Sequence, residues 1–295
     1  MDDRHAIAAL LALAMTGSAC RQSAPPPPTK AELDALATGE AKWLTANGLR
    51  LKTLVYRTTP LGEQPTLVVA LHGDSPIGRP SIQFVFAQRA AAQLTNAVVV
   101  GLLRPGYTDG AGDTSSGTRG RATGDNYTPQ VVDAVRDVVA ALRKEFAPRA
   151  VVMVGHSGGA AITADLIGRS PGAADAALLV SCPCNVPAWQ THMMKAYVWP
   201  YGPMALVFKL PNDSLSPIDL ADRVPTTLPV RLLVGERDTV APPRFTDEYA
   251  GRLKQRGVDA MVTVVPGLGH EMFLESIAFE QLARLVASAA PAPRP

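Results

Sequence analysis

One stretch constrains the fold of this chain more than any other: Val151 to Ala161, which reads VVMVGHSGGAA. An apolar, β-branched run leads into the pattern G-x-S-x-G, and an alanine-rich helical pattern follows it. A serine at the tip of so sharp a turn takes a strained backbone conformation, and its neighbours must be nearly free of side-chain atoms. Gly155, Gly158 and Gly159 meet that requirement. The sequence therefore predicts a buried strand, a tight turn that raises the Ser157 hydroxyl, and a helix.

Strand-like and helix-like patterns alternate along the rest of the chain. The other predicted strands are Leu49 to Thr58, Thr66 to Leu71, Ala97 to Leu103, Ala176 to Ser181, Val230 to Val234 and Ala260 to Val265. The other predicted helices are Ala31 to Ala46, Pro80 to Thr95, Thr128 to Phe146, Pro243 to Arg256 and Glu271 to Ala289. Asn47-Gly48 is interpreted as the cap that ends the first helix. This alternation predicts an α/β fold with a mostly parallel central sheet covered by helices on both faces.

Composition and charge describe a folded domain with no sign of nucleic-acid binding. The chain has 295 residues, of which 47% are hydrophobic and 18% are charged. A formal net charge of +2 without a basic run gives no reason to expect a nucleic-acid partner. Three cysteines are too few for a disulfide framework, and no apolar run is long enough to span a bilayer. We assign the domain to residues 31–290 and a short tail to residues 291–295.

The first 20 residues have the pattern of a targeting segment. Arg4 precedes the apolar run Ala6 to Met15, and small residues lead to Cys20. The stretch resembles a bacterial lipoprotein signal, which implies that Cys20 is lipidated and becomes the mature N-terminus. Residues 21–30 hold four prolines and would form an extended tether. We therefore expect an exported protein, periplasmic or membrane-anchored in a bacterium; the alternative is a disordered alanine-rich tail.

The serine of the turn needs partners before it can act as a nucleophile. An adjacent base must take its proton, and a carboxylate must orient that base. In an open parallel sheet the reacting groups gather beyond the carboxyl ends of the strands. Asp238 and His270 follow the ends of two predicted strands, so Ser157, Asp238 and His270 are the candidate catalytic residues. The alternatives to Asp238 are Glu236, Asp219 and Asp213, and the other histidines are His5, His72, His156 and His192.

Four short motifs lie in the order and context of a known family. They are Leu71-His72-Gly73, Gly155-His156-Ser157-Gly158-Gly159, Gly235-Glu236-Arg237-Asp238 and Gly269-His270, within the span from Leu49 to Leu285. With these motifs the chain resembles the α/β-hydrolase superfamily of serine hydrolases. The resemblance implies the α/β-hydrolase fold and the triad Ser157, Asp238 and His270. It also implies a small cap-like excursion, which we place at residues 182–215.

An oxyanion hole needs two backbone N–H donors aimed at the developing negative charge. Gly158, directly after the serine, would supply one of them. The resemblance places the other just after His72-Gly73, which assigns it to Asp74. The Asp74 carboxylate must then point away from the site, because it would otherwise repel the oxyanion. The Tyr107 hydroxyl, in the long loop from Arg104 to Tyr127, is an alternative donor, and ordinary loop packing is the other interpretation of Tyr107.

Aromatic and methionine residues follow Cys182 in a segment that breaks the strand–helix alternation. An apolar surface here would suit the acyl or alcohol part of a hydrophobic ester, while core packing of a small excursion is the alternative interpretation. The candidate pocket residues are His72, Gly73, Tyr107, His156, Trp189 and Met193. Cys182 and Cys184 allow three states: a metal site with His192, a disulfide, or two buried free thiols. We favour the free thiols.

These observations predict a serine hydrolase that cleaves a carboxylic ester through an acyl-enzyme. We expect a small-molecule ester as its substrate and no requirement for a metal or an organic cofactor. A serine peptidase or amidase on the same fold is the alternative, and a non-catalytic binding protein is a third possibility. The ester is favoured because the sequence shows no acidic pair near the cap segment that would bind an α-amine.

Overall fold

The computed structural model describes residues 29–120, 122–210 and 212–289. The predicted signal, Cys20, most of the proline-rich linker and the tail at 291–295 lie outside the described residues. Among the described residues, no helix combines the length and the apolar character that crossing a membrane requires.

The core of the fold is an eight-stranded sheet with the order β1-β2-β4-β3-β5-β6-β7-β8. Its strands are β1 (Glu40–Ala46), β2 (Leu49–Arg57), β3 (Thr66–Leu71), β4 (Ala97–Leu102), β5 (Ala150–His156), β6 (Ala176–Val180), β7 (Val230–Gly235) and β8 (Ala260–Val265). β2 pairs antiparallel with β1 and β4, and every pair from β4 through β3 to β8 is parallel. The carboxyl ends of six strands therefore meet at one edge, which is where a parallel sheet collects its functional groups.

Helices cover both faces of the sheet. The longer helices are α1 (Lys30–Thr38), α2 (Ile82–Gln93), α3 (Pro129–Phe146), α4 (Gly158–Arg169), α5 (Val186–Tyr201), α7 (Pro243–Gln255) and α8 (Ser276–Ser288), and a short α6 (Pro217–Leu220) precedes β7. α3, α4 and α7 bury their apolar stripes in one hydrophobic cluster on one face of the sheet. α1, α2 and α8 contribute to the second cluster on the other face. The predicted mostly parallel sheet with two helical layers is confirmed.

The first predicted helix is wrong over its second half. α1 ends at Thr38, and residues 40–46 form β1 instead, which runs antiparallel to β2. Asn47 and Gly48 have φ values of 47° and 75°, so they form the hairpin turn between these strands rather than a helix cap. Asn-Gly is the strongest short hairpin signal in a sequence, and here it outweighs the helical pattern of alanines and leucines before it.

Residues 182–215, expected to form the cap-like excursion, contain α5 and a 3₁₀ segment, Gly202–Lys209. Trp189 and Met193 of α5 pack with Phe245 at the start of α7 in a small apolar cluster of their own. The expectation of two free thiols is wrong: Cys182 and Cys184 are joined in a disulfide, with their Cα atoms 5.1 Å apart. That separation lies inside the range that a disulfide can bridge, and the bond leaves no free thiol for a metal.

Candidate active site

Ser157 occupies the turn between β5 and α4, with φ 51° and ψ −120°. A non-glycine residue rarely adopts this conformation, so the serine turn (Gly155 to Gly159) carries the backbone strain that the sequence predicts. A Cβ atom on Gly155 would lie 2.3 Å from the Gly159 carbonyl oxygen, and one on Gly159 would lie 2.5 Å from the His72 carbonyl oxygen. Both obstacles are backbone atoms, so the strand and the helix can approach this closely only without side chains.

His270 joins Ser157 to Asp238 through hydrogen bonds on its two ring nitrogens. Nε2 lies 2.9 Å from Ser157 Oγ, and Nδ1 lies 2.9 Å from Asp238 Oδ2 and 3.0 Å from Oδ1. Asp238 Oδ1 also accepts from the backbone N–H groups of Val240 at 2.9 Å and Ala241 at 2.7 Å. The carboxylate is thereby fixed in position, with Nδ1–H of the imidazole donating to it and Nε2 facing the serine.

Two further side chains hold the backbone of His270. Its carbonyl oxygen accepts from His156 Nε2 at 3.0 Å and from Ser181 Oγ at 3.1 Å. Burial lowers the pKa of His156, and the neighbouring His270 ring lowers it further. His156 therefore stays neutral and keeps its proton on Nε2, which donates to the His270 carbonyl and fixes the backbone of the triad histidine. The sequence analysis named His156 only as a candidate pocket residue, so this supporting role was not predicted.

The competing acids lie elsewhere. Glu236 accepts a hydrogen bond from the Gly267 N–H at 3.0 Å and so braces the turn after β8. Asp219 belongs to α6, and Asp213 borders a different cleft beside Thr128. Of the four candidates, Asp238 is the one that contacts His270.

Ser157 and His270 open into a cleft of about 370 Å³. Five of the predicted pocket and oxyanion-hole residues line it: His72, Gly73, Asp74, His156 and Met193. Tyr107 and Trp189 do not, because both side chains are buried behind the wall. The Tyr107 ring packs edge-on against His72, with 4.7 Å between ring centroids, and the Trp189 indole N–H donates to the Val240 carbonyl at 2.8 Å. These two aromatic residues therefore shape the cleft without facing a bound molecule.

Several lining residues were missed by sequence reasoning, and two of them are acidic. Glu32 reaches the cleft from α1, and Glu271 directly follows His270. The sequence analysis missed Glu32 because this residue is far from the cap segment along the chain. Glu271 could have been identified from the sequence, because it directly follows His270. No lysine or arginine is among the described residues that line this cleft. Among its described residues, the cleft lining thus includes carboxylates and no basic side chain of lysine or arginine.

Comparisons with known proteins were informative at the level of structure. No family model matches the sequence, and no curated protein matches it. An esterase of Pyrococcus furiosus superimposes with a TM-score of 0.65 at 14% identity, covering 92% of this chain and 99% of the esterase. The proline iminopeptidase of Mycobacterium smegmatis gives 0.63 at 17% identity, covering 85% and 98%. An esterase of Pyrobaculum calidifontis gives 0.62 at 19%, covering 89% and 92%.

The chain has the α/β-hydrolase fold. In this α/β-hydrolase sheet, the triad residues and two of the residues around them follow the carboxyl ends of parallel strands. His72 follows β3, Ser157 follows β5, Ser181 follows β6, Asp238 follows β7 and His270 follows β8. Identities below one fifth carry the fold alone, so the chemistry rests on the geometry of these residues.

The loop of residues 72–74 approaches the serine turn from β3. The Gly158 N–H stands at the first position of α4, where no preceding helical turn supplies an acceptor. A Cβ on Gly158 would lie 2.4 Å from Asp74 Oδ1, so the Asp74 side chain lies directly beside this glycine. His72 is fully buried, and burial together with the nearby Arg104 cation holds its pKa well below the usual value. A neutral His72 suits both of its hydrogen bonds, since Nδ1–H donates to the Gly73 carbonyl and Nε2 accepts from the Arg104 N–H.

One group of potential metal ligands occurs among the described residues. The ligand atoms of His156, His270 and Glu271 all lie within 4.8 Å of one another. His270 already uses both ring nitrogens in hydrogen bonds to Ser157 and Asp238. Binding a metal through His270 would therefore break its hydrogen bond to Ser157 or to Asp238. The expectation that the reaction needs no metal or cofactor stays a prediction.

Proposed function

We propose that the protein is a serine hydrolase that cleaves carboxylic esters through an acyl-enzyme. The observation that carries this proposal is the continuous hydrogen-bond path from Ser157 Oγ through His270 to the Asp238 carboxylate. The nucleophile is within hydrogen-bond reach of the base, and the base is within reach of the orienting acid. Ser157 and His270 open into one cleft, with Asp238 buried behind them. Support for a hydrolase also comes from the fold, which is shared with solved esterases and peptidases.

The geometry supports the following sequence of steps. His270 Nε2 takes the proton from Ser157 as Oγ attacks the substrate carbonyl carbon, and the carbonyl electron pair moves onto oxygen. The backbone N–H groups of Gly158 and Asp74 receive the resulting oxyanion. The tetrahedral intermediate collapses, and the leaving alcohol takes the proton from His270. Water then gives a proton to His270 and attacks the acyl carbon. The second tetrahedral intermediate collapses, the acid leaves, and Ser157 Oγ takes the proton back from His270.

A second candidate, an amidase or aminopeptidase, is favoured by a specific observation. Glu32 and Glu271 line the cleft without a cation among its described lining residues, and such a surface favours substrates with a positive group. An amine leaving group departs poorly unless it is protonated, so the triad by itself does not select amides over esters. We therefore place ester hydrolysis first and treat an amine-bearing substrate as the rival.

Two measurements separate these possibilities. A fluorophosphonate probe should label the wild-type protein and fail to label Ser157→Ala; an unlabelled wild type would overturn the hydrolase and favour a binding protein. For a labelled enzyme, kcat/KM is compared for 4-nitrophenyl butyrate, the matched butyryl 4-nitroanilide and alanine 4-nitroanilide. We expect the ester to be turned over fastest. An alanine anilide that matches or exceeds the ester, and that loses this advantage in Glu271→Gln, would assign the enzyme to the amine-bearing class.

A further inference from the structure

A buried carboxylate, that of Asp74, lies beside the proposed oxyanion hole. The Asp74 side chain is 3% exposed, and its Oδ1 and Cγ would lie 2.4 and 2.7 Å from a Cβ on Gly158. Gly158 is the residue whose N–H would bind the oxyanion. A fixed negative charge beside Gly158 would raise the energy of an oxyanion that forms at this residue, because like charges repel strongly where water is excluded.

Arg104 is placed to cancel this charge. It follows β4, its side chain is fully buried, and its Nη1 lies 2.8 Å from Asp74 Oδ1. The same Nη1 donates to the His72 carbonyl at 3.2 Å, and the Arg104 backbone N–H donates to His72 Nε2 at 3.1 Å. Arg104 thus holds both the first and the last residue of the loop 72–74.

The remaining partners of the pair come from the long loop that the sequence analysis singled out. Asp74 Oδ2 accepts from the Tyr127 hydroxyl at 2.7 Å and from the Gly124 N–H at 2.8 Å. The Arg104 guanidinium carbon lies 5.1 Å from the Tyr107 ring centroid and 5.8 Å from the Tyr127 ring centroid. Arg104 Nε and Nη2 are buried with no hydrogen-bond partner among the described residues.

Stability of the fold alone does not explain this arrangement. A buried ion pair often contributes little net stability, and two guanidinium nitrogens without partners add a desolvation cost. A charge-compensating role at the oxyanion position accounts for both the full burial of Arg104 and its contact with the carboxylate beside Gly158.

We propose that Arg104 is a positioning residue that neutralises Asp74 and holds the loop 72–74 in place for the oxyanion. The proposal rests on the hydrolase function proposed above. The Asp74 carboxylate keeps Arg104, Tyr127 and Gly124 gathered behind the loop, while Arg104 removes the net charge that this carboxylate would otherwise present to the intermediate. The conflict that the sequence analysis met at Asp74 is thereby resolved by a residue 30 positions further along the chain.

The test is a charge-rescue cycle on Ser157-dependent ester hydrolysis. Arg104→Met leaves an uncompensated carboxylate and should lower kcat by roughly 100-fold, the size of effect seen when an oxyanion donor is lost, with KM changed far less. Arg104→Met combined with Asp74→Asn removes both charges and should recover at least about tenfold of that loss. Arg104→Lys keeps the charge and should retain most of kcat.

Arg149→Met is the matched control and should leave kcat unchanged. Arg149 donates hydrogen bonds to Thr66 and to the Val286 carbonyl at the opposite edge of the sheet.

The outcomes are distinguishable. A double variant that is folded yet no more active than Arg104→Met, or an Arg104→Met enzyme with full kcat, would overturn the proposal. If Arg104→Met does not fold, the neutral double variant and Arg104→Lys decide the matter, because a folded but inactive double variant contradicts charge compensation. Failure of the hydrolase function itself would appear differently, as a wild-type protein without fluorophosphonate labelling.

Discussion

Among the described residues, the Asp238 carboxylate has three hydrogen-bond donors, and one of them is the triad histidine. The N–H groups of Val240 and Ala241 hold Oδ1, so the carboxylate keeps its position whether or not it carries a charge. The carboxylate also accepts a hydrogen bond from Nδ1–H of His270. Its negative charge stabilises the protonated form of that histidine. Position and charge can therefore be separated by one substitution.

We expect Asp238→Asn to keep the fold and to lower kcat for ester hydrolysis by about 10³- to 10⁴-fold, because the amide no longer enforces the correct imidazole tautomer. Steady-state measurement of kcat checks the loss of activity, and urea unfolding checks that the fold is kept. Glu236→Gln is the control and should remain near wild type, since the Glu236 carboxylate accepts a hydrogen bond from the Gly267 N–H and does not bond His270. Near-normal turnover in Asp238→Asn would mean that another acid orients His270.

Asp165 of α4 differs from Asp238, because no hydrogen bond from the described residues reaches its carboxyl group. It is fully buried, and neither of its oxygens has a hydrogen-bond partner among the described residues. Burial, with Asp219 nearby, raises its pKa well above the usual value. The folded protein therefore holds this proton to higher pH than the unfolded chain does. The associated stability is present below about pH 4 and is lost as the pH rises toward the raised pKa.

Asp165→Asn should therefore gain stability relative to wild type as the pH rises above 4, by up to about 1.4 kcal/mol per pH unit. Urea unfolding at pH 5, 6.5 and 8 measures the difference. Asp133→Asn is a control of opposite sign: its hydrogen bond to Arg169 lowers the pKa of Asp133, so the variant should lose more stability at neutral pH than at acid pH. A pH-independent difference for Asp165→Asn would contradict the argument.

At the scale of elements, the contact between β5, the serine turn and α4 carries the site. α4 begins directly under the loop 72–74, and Gly159 faces the carbonyl oxygens of Leu71 and His72. Neither oxygen is free to move, because both belong to the backbone at the end of the central strand β3. The helix can approach the sheet this closely only at a residue without Cβ, and this approach places Ser157 beside the cleft.

Gly159→Ala should cost about 1 to 3 kcal/mol of stability and lower kcat, since its Cβ would lie 2.5 Å from the His72 carbonyl oxygen and push α4 off the sheet. Gly251→Ala is the matched control within helix α7: a Cβ there meets nothing within 4 Å, so the helix should gain roughly 0.5 to 1 kcal/mol. Urea unfolding midpoints of the two variants make the comparison. Equal stabilities would show that the close approach at Gly159 is not needed.

The whole molecule includes an N-terminal segment whose role we propose from sequence. The apolar run Ala6 to Met15, Cys20 and the proline-rich linker support an exported, lipid-anchored protein. The Cys182–Cys184 disulfide supports an oxidising compartment, where such bonds persist. The domain begins at α1, whose Thr29 side chain and Glu32 form a capping box, so the linker would lead straight into the folded domain.

In a bacterial host, the full-length chain should appear in the membrane fraction. Cys20→Ala should abolish lipidation and either release the protein or block its maturation. Fractionation with mass spectrometry of the N-terminus checks both results, and Cys182→Ala is a control that leaves Cys20 in place. An intact Met1 N-terminus on protein recovered from the cytosol would contradict the proposal.

Local patterns were enough to predict the architecture and the three residues that the structure brings together. Buried parallel strands read as short apolar runs, and each is locally distinct from the amphipathic helices between them, as at β3 and α3. Ser157, Asp238 and His270 could be named because each follows a strand end, and parallel strands bring those ends to one edge. β1 was missed because its edge position leaves a weak burial pattern that a helical period mimics.

Only the tertiary structure decided how residues distant in sequence meet around that edge. Arg104 neutralising Asp74 and Glu32 reaching the cleft are long-range contacts, and no local period encodes which loop lies over which strand. The same reason places Tyr107 and Trp189 behind the cleft wall, since an aromatic residue in a loop has the same sequence signature whether it faces a ligand or the core. Local propensity specifies elements, whereas the pairing of their ends depends on how the packed layers exclude water from particular side chains.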